Sequence, residues 1–381
     1  RRWSIVREEM GKRGLDAIIV HGANNRTGVN GYFTWFTGIS APGANPQSII
    51  FPREGEMTII RHGAFGEVRQ LDPNDVLTPG IGRVRGTPTF PAVHYTMHYD
   101  ADIMVEELER GGYRSVAWVS PQSMYYGFAS ALSQRLGGKI ADITDFVDEV
   151  KAVKSPFEIG MLRAAARMQD EILDALGGII QPGMRDFEVM AEAQRLGERK
   201  GSQTGVFLGA SIAPDDLGVP VRYRPEQGRT IREGDLFFML VENTGPGGMY
   251  THVSRYFALG TPPQALVDAL SSVAEAQNAT LDMLVPGASS ADVFAEYNAG
   301  LTKRGFHEEA RLHAHGQGYD LVERPLIRSD EPMRLAAGMN IGVHAGLFSG
   351  KTFATTCDNY LLTQSGPERL HQYPQTPVVQ I

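Results

Sequence analysis

The run Val150-Lys151-Ala152-Val153-Lys154-Ser155-Pro156-Phe157-Glu158 constrains this chain more than any other, because it carries a complete helix-start signal. Ser155 can cap, Pro156 suits the first helical position, and Glu158 stands where a capping box needs its acid. Downstream, Ile159, Leu162, Ala165, Ala166, Ile172 and Leu176 recur at a spacing near the helical repeat, which predicts a long helix burying one face against a sheet. Gln181-Pro182-Gly183 then turns the chain into a second helix, Phe187 to Arg199.

Upstream of this signal, short apolar runs (Ala17 to Val20, Ser48 to Phe51, Met57 to Ile60, Ser115 to Val119) alternate with amphipathic stretches such as Val105 to Arg110. That pattern predicts a small α/β domain over residues 1–149. Residues 150–381 read differently, with strands near Val206 to Leu208, Leu236 to Glu242 and Tyr250 to Leu259. Helices follow from about Pro263 to Leu284 and from Ser290 to Arg304, beyond a Pro286-Gly287 break. The expectation is two helix pairs over a curved antiparallel sheet, an α+β domain. A length of 381 residues suits two cores, and 42% apolar residues can fill both.

With 36 basic against 44 acidic residues and a net charge of -8, the chain lacks the cationic excess that nucleic acid or an anionic membrane demands. No apolar run approaches the roughly 20 residues needed to span a bilayer. A lone Cys357 excludes an intrachain disulfide and fits a cytoplasmic setting. Residue 1 is Arg, so the natural start is expected to lie upstream.

Weak motifs gain weight from their order. Lys154-Ser155-Pro156-Phe157-Glu158-Ile159, Tyr223-Arg224-Pro225, Gly234-Asp235, Ser254-Arg255-Tyr256-Phe257, His315-Gly316-Gln317-Gly318, Pro325 and Gly338-Met339 follow one another. In this order the chain resembles the creatinase, aminopeptidase P and prolidase family along nearly its whole length. The resemblance implies a creatinase-like N-terminal domain, a pita-bread catalytic domain and a homodimer.

It also implies a metal site, with a difference. The family's metallopeptidases hold two ions with two Asp, one His and two Glu. Carried over one at a time, the first Asp falls on Leu240, the second on His252, the His on His315, the first Glu on His344 and the second Glu on Cys357. The auxiliary histidines fall on Arg222 and Val322. Four of the five ligand positions therefore differ, and the carboxylates that neutralise a dinuclear centre are missing. Glu242 lies two residues beyond Leu240, on the same face of a strand, and the dimethylsulfoniopropionate lyase branch looks similar in having an acid near there. Within the family's geometry His252, His315 and His344 would face one position, so the set suits one divalent transition metal, with zinc, iron, manganese, nickel and copper not distinguished.

Three readings stay open. In the first, this metal serves a hydrolase or lyase acting on a small molecule, with His252, His315, His344 and Glu242 as both ligands and catalytic groups. In the second no metal binds, and the same residues perform proton transfers for carbon-nitrogen hydrolysis in the manner of creatinase, although that enzyme's catalytic His position reads Arg222 here. In the third the pita-bread fold is a non-catalytic binding module.

Around these residues, Arg222 and Arg255 are candidates to grip a substrate carboxylate with the planar arginine fork. Tyr223 and Trp35 complete the candidate substrate-binding set. Trp35 lies in Asn30 to Gly38, where aromatics stand beside glycines, read as a strand end packing into the core or as a pocket wall. Cys357, Asp358 and His313 are candidates for a supporting shell behind the ligands, Asp358 by orienting a histidine. His94 and His98 lack partners in sequence.

Overall fold

The computed structural model describes residues 1–22, 31–40, 45–138, 140–376 and 378–381. The chain divides into two compact units, Arg1–Lys151 and Ala152–Ile381.

The first unit runs α1 (Arg2–Arg13), β1 (Ala17–Gly22), α2 (Tyr32–Thr37), β2 (Gln47–Pro52), β3 (Met57–His62), β4 (Val68–Gln70), β5 (Ile81–Thr87), α3 (Tyr99–Gly111), β6 (Val116–Val119), α4 (Tyr126–Arg135), β7 (Ala141–Asp142) and α5 (Thr144–Ala152). Its seven strands form a mixed sheet in the order β4-β5-β3-β2-β1-β6-β7. Ile19, Ile50, Ile60 and Val116 from this sheet pack with Met104 and Leu108 of α3 and with Phe128 and Leu132 of α4.

The aromatic run expected as a strand end is instead α2, whose six residues are all buried. Gly38, at φ 72°, supplies the left-handed residue that ends it. Asn30 lies outside the described residues.

The second unit opens with α6 (Pro156–Gly177) and α7 (Asp186–Arg199). The capping box forms as the sequence requires: Glu158 N donates to Ser155 Oγ at 3.3 Å, and Ser155 N donates to Glu158 Oε2 at 2.7 Å. Then come β8 (Gly205–Ile212), β9 (Leu236–Thr244), β10 (Tyr250–Ala258), α8 (Gln264–Leu281), α9 (Ser290–Lys303), β11 (Ala314–Gly316), β12 (Glu323–Ile327), β13 (Asn340–Ser349), β14 (Thr352–Thr363), β15 (Gly366–Arg369) and β16 (Val378–Gln380). They make a nine-stranded sheet in the order β12-β11-β13-β14-β10-β9-β8, with β15 beside β14 and β16 beside β10. Apart from the parallel β10–β16 contact, the pairs are antiparallel.

Strand alternation sorts the side chains. Phe237, Met239, Val241, Val253 and Phe257 pack with Ile172, Leu176 and Val189 of the first helix pair. Ile341, Val343, Tyr360 and Leu362 pack with Leu284, Val293 and Phe294 around the second. The intervening residues, Leu240, Glu242, His252, His344 and Cys357, turn to the other face and line a cavity. The architecture is the two-domain pita-bread arrangement that the motif order implied.

Candidate metal centre

Glu242 and His252 are direct cross-strand partners in the β9–β10 ladder, and His252 Nδ1 lies 3.3 Å from Glu242 Oε1. His315 enters from β11, where its Nδ1 lies 2.8 Å from the carbonyl oxygen of Gly316. The ligand atoms of Glu242, His252 and His315 lie within 4.8 Å of one another, and all three residues are buried. His344 on β13 joins them less closely. Its ring centroid stands 6.0 Å from that of His252 and 5.2 Å from that of His315, and its nitrogens lie outside the tight set.

The His252 ring fits because Gly342 lies beneath it: a Cβ at Gly342 would meet His252 Nε2 at 2.7 Å. That Nε2 is itself buried and has no hydrogen-bond partner, a condition that costs free energy unless something else occupies the lone pair. Burial, then the neighbouring His252 ring, pushes the pKa of His315 down to about 4. Burial, then His315 and His252, holds His344 well below its ordinary value. Uncharged imidazoles are the form that ligates metal.

Glu242, His252 and His315 are thus able to hold an ion, and Leu240 and Cys357, two of the positions compared with family acids, stand on the cavity wall. Burial pushes the Cys357 thiol up to about 12.

Several expected roles are corrected. Arg255 is 2% exposed, and it faces away from the histidines, three residues along β10 from His252. Its guanidinium donates to the carbonyls of Pro374, Ser254 and Cys357 and to Asp358, so its hydrogen bonds are directed into the protein and not at a substrate. Asp358 lies on that same far face with Arg255 and Arg369 and orients no ligand histidine. Burial opposes its ionisation, but Arg255, then His371 and Arg369, hold the carboxyl below the usual range.

Val221 and Tyr223 line the cavity while Arg222, between them, does not. Trp35 is 2% exposed inside the first unit, edge-on to Phe36, and so presents no free face to a substrate. His313 stacks on Tyr297, ring centroids 3.6 Å apart, and stays out of the cavity although His315 is in it.

What the sequence did not reveal is the segment His307 to Leu312, which walls the cavity between α9 and β11 and contributes Arg311. Its backbone N–H is held by Glu309 at 2.7 Å. Among the described residues its exposed guanidinium has no hydrogen-bond or ion-pair partner. The cavity measures about 510 Å³, the scale of a small-molecule site. Its remaining walls include Leu208, Phe238, Leu240, Leu347 and Phe353.

The chain matches the family model described as metallopeptidase family M24 over residues 160–364, and it belongs to that family. It is 24% identical over 403 residues to a protein named ectoine hydrolase from Halomonas elongata, covering 98% of this chain and 95% of that one. Its fold is that of the X-Pro aminopeptidase from Thermotoga maritima (TM-score 0.81, 16% identity, 100% and 99% of the two chains). The prolidase from Pyrococcus horikoshii shares it (TM-score 0.77, 18% identity, 99% of each chain). Among the described residues no helix is long and apolar enough to cross a membrane.

Proposed function

We propose that this chain is a hydrolase or lyase of a small, carboxylate-bearing molecule, working at a mononuclear site where Glu242, His252 and His315 hold a divalent metal and His344 flanks it. The observation that carries the reading is a set of buried ligand atoms, one each from Glu242, His252 and His315, that lie within 4.8 Å of one another. A divalent ion held there would supply Lewis acidity toward a substrate oxygen or bound water. Arg311 is positioned at the cavity wall to pair with the carboxylate, replacing Arg222 and Arg255 in that role. The relative named ectoine hydrolase, matched along nearly its full length, supports hydrolysis.

One observation favours a second reading. His252 and Glu242, 3.3 Å apart, already form a buried acid-base pair able to move a proton without an ion. Metal analysis of protein purified without chelator separates the two. The first reading expects a single equivalent of divalent metal per chain, lost in His315→Ala together with turnover. Metal-free protein that retains turnover overturns it in favour of the second, and two equivalents in the wild type would overturn the mononuclear site.

A further inference from the structure

Behind the cluster lies a closed chain of amides. Asn359 on β14 accepts the backbone N–H of His252 through Oδ1 at 2.6 Å, and its Nδ2 donates to Gln317 Oε1 at 3.0 Å and to Asn340 Oδ1 at 3.1 Å. Asn340 on β13 donates in turn to the Gln317 carbonyl at 3.0 Å. Gln317 Nε2 donates to Glu242 Oε1 at 2.8 Å and to the Leu321 carbonyl at 3.1 Å. The three amide residues are 0–1% exposed.

An amide's O and N can usually be exchanged without much consequence. Here they cannot, because the network ends on groups of fixed polarity. The His252 N–H can only donate, and the Gln317 and Leu321 carbonyls can only accept. Turning Asn359 over would set its NH2 against an N–H. Turning Gln317 over would set its oxygen against a carbonyl.

The direction of every bond is thus determined, and it delivers an N–H to Glu242 Oε1, leaving that oxygen an acceptor. The other atom at this oxygen is His252 Nδ1. With Glu242 ionised, Nδ1 carries the ring proton, and in the neutral ring the lone pair falls on Nε2. His315 is set independently to the same state, because the Gly316 carbonyl at its Nδ1 can only accept.

We propose that Gln317 is a positioning residue, locked by Asn359 and Asn340, whose N–H to Glu242 fixes His252 as the Nδ1–H tautomer. His252 and His315 then both carry their lone pairs on Nε2 before any ligand arrives. The use of these lone pairs for holding an ion rests on the reading above; the tautomer does not.

The test is nitrogen-15 NMR of the histidine rings in the full chain, stripped of metal at neutral pH, with His252→Gln and His315→Gln for assignment. Both rings are expected as Nδ1–H tautomers in the wild type. In Gln317→Leu, His252 loses that preference while His315 keeps it, and zinc affinity falls about 10–100-fold, the usual effect of removing a group behind a ligand. An Nε2–H or doubly protonated His252 in the wild type overturns the proposal without needing any variant, as does an unchanged His252 in a folded Gln317→Leu. Absence of zinc binding by the wild type would sink the metal reading alone, since the ring tautomers are read without metal.

Discussion

His344 and Cys357 stand directly opposite each other across the β13–β14 ladder, and Ser254 stands opposite Cys357 on the β10 side. Cys357 therefore sits at the floor of the cavity, 6% exposed, with burial pushing its thiol up to about 12. At neutral pH it stays protonated and weakly nucleophilic. Ellman's reagent is expected to label the native chain slowly and the urea-unfolded chain fully. Equal rates in both states would contradict the burial described.

Gly342 leaves room for the His252 ring, which an added Cβ would approach to 2.7 Å at Nε2. Its φ is not in the left-handed region, so Gly342→Ala perturbs the ring and not the backbone. The expected result is a folded protein whose metal affinity drops by an amount comparable to the ~10–100-fold loss typical of a displaced supporting group. Calorimetric titration with zinc checks this, and unaltered affinity counts against the placement of His252.

Arg311 supplies the positive charge that Arg222 and Arg255 do not bring to the cavity. A charged hydrogen bond contributes roughly 1.5–3 kcal/mol. On a substrate found by metabolite screening, Arg311→Gln should therefore raise KM about 10- to 150-fold with kcat changed little. A substitution that left KM untouched would remove Arg311 from recognition.

Lys154 Nζ and Glu323 Oε2 form a buried ion pair at 2.6 Å, with side chains 1% and 3% exposed. Removing one member strands a charge, so Lys154→Met is expected to destabilise by about 3–5 kcal/mol. Lys154→Met with Glu323→Leu should cost less, because neither charge remains. Chemical denaturation of the single and double variants decides it; a double variant less stable than the single one would refute this account.

Acid stability should report His21, stacked on Phe128 at 3.9 Å. Burial pushes its pKa from 6.5 down to about 3. Between those values the unfolded chain binds a proton that the folded chain does not, so stability falls as pH drops from about 6.5 toward 3. The slope from this group is at most ~1.4 kcal/mol per pH unit. Urea midpoints against pH should fall less steeply for His21→Asn than for the wild type, and parallel curves would exclude His21 as a source of the effect.

How far the sequence could be read depended on which physical rule applied. The capping box at Ser155 and Glu158 is local chemistry and was legible residue by residue. The shared face of Leu240 and Glu242 followed from strand periodicity. Parity places Arg255, three residues from His252, on the opposite face of β10. Trp35 was misplaced because a dense aromatic run resembles a strand, while the short α2 is fixed by burial on all sides. Arg311 was invisible because the segment 307–312 has no periodicity, and only the folded chain brings it to the cavity. The tightness of the Glu242, His252 and His315 set, and the looser place of His344, came from ladder register, which no spacing along the chain encodes.

Leu240, at the cavity wall beside Glu242, has a consequence for selectivity. With Glu242 as its lone acid ligand, a dication at the proposed centre would keep a surplus positive charge, in a cavity whose walls mix Leu240 and other apolar residues with Glu308, Glu309 and Arg311. An anion drawn into such a chamber completes its neutrality, whereas an uncharged analogue of equal shape leaves the imbalance standing. Discrimination by charge would then be built into the walls as much as into any residue that touches the guest.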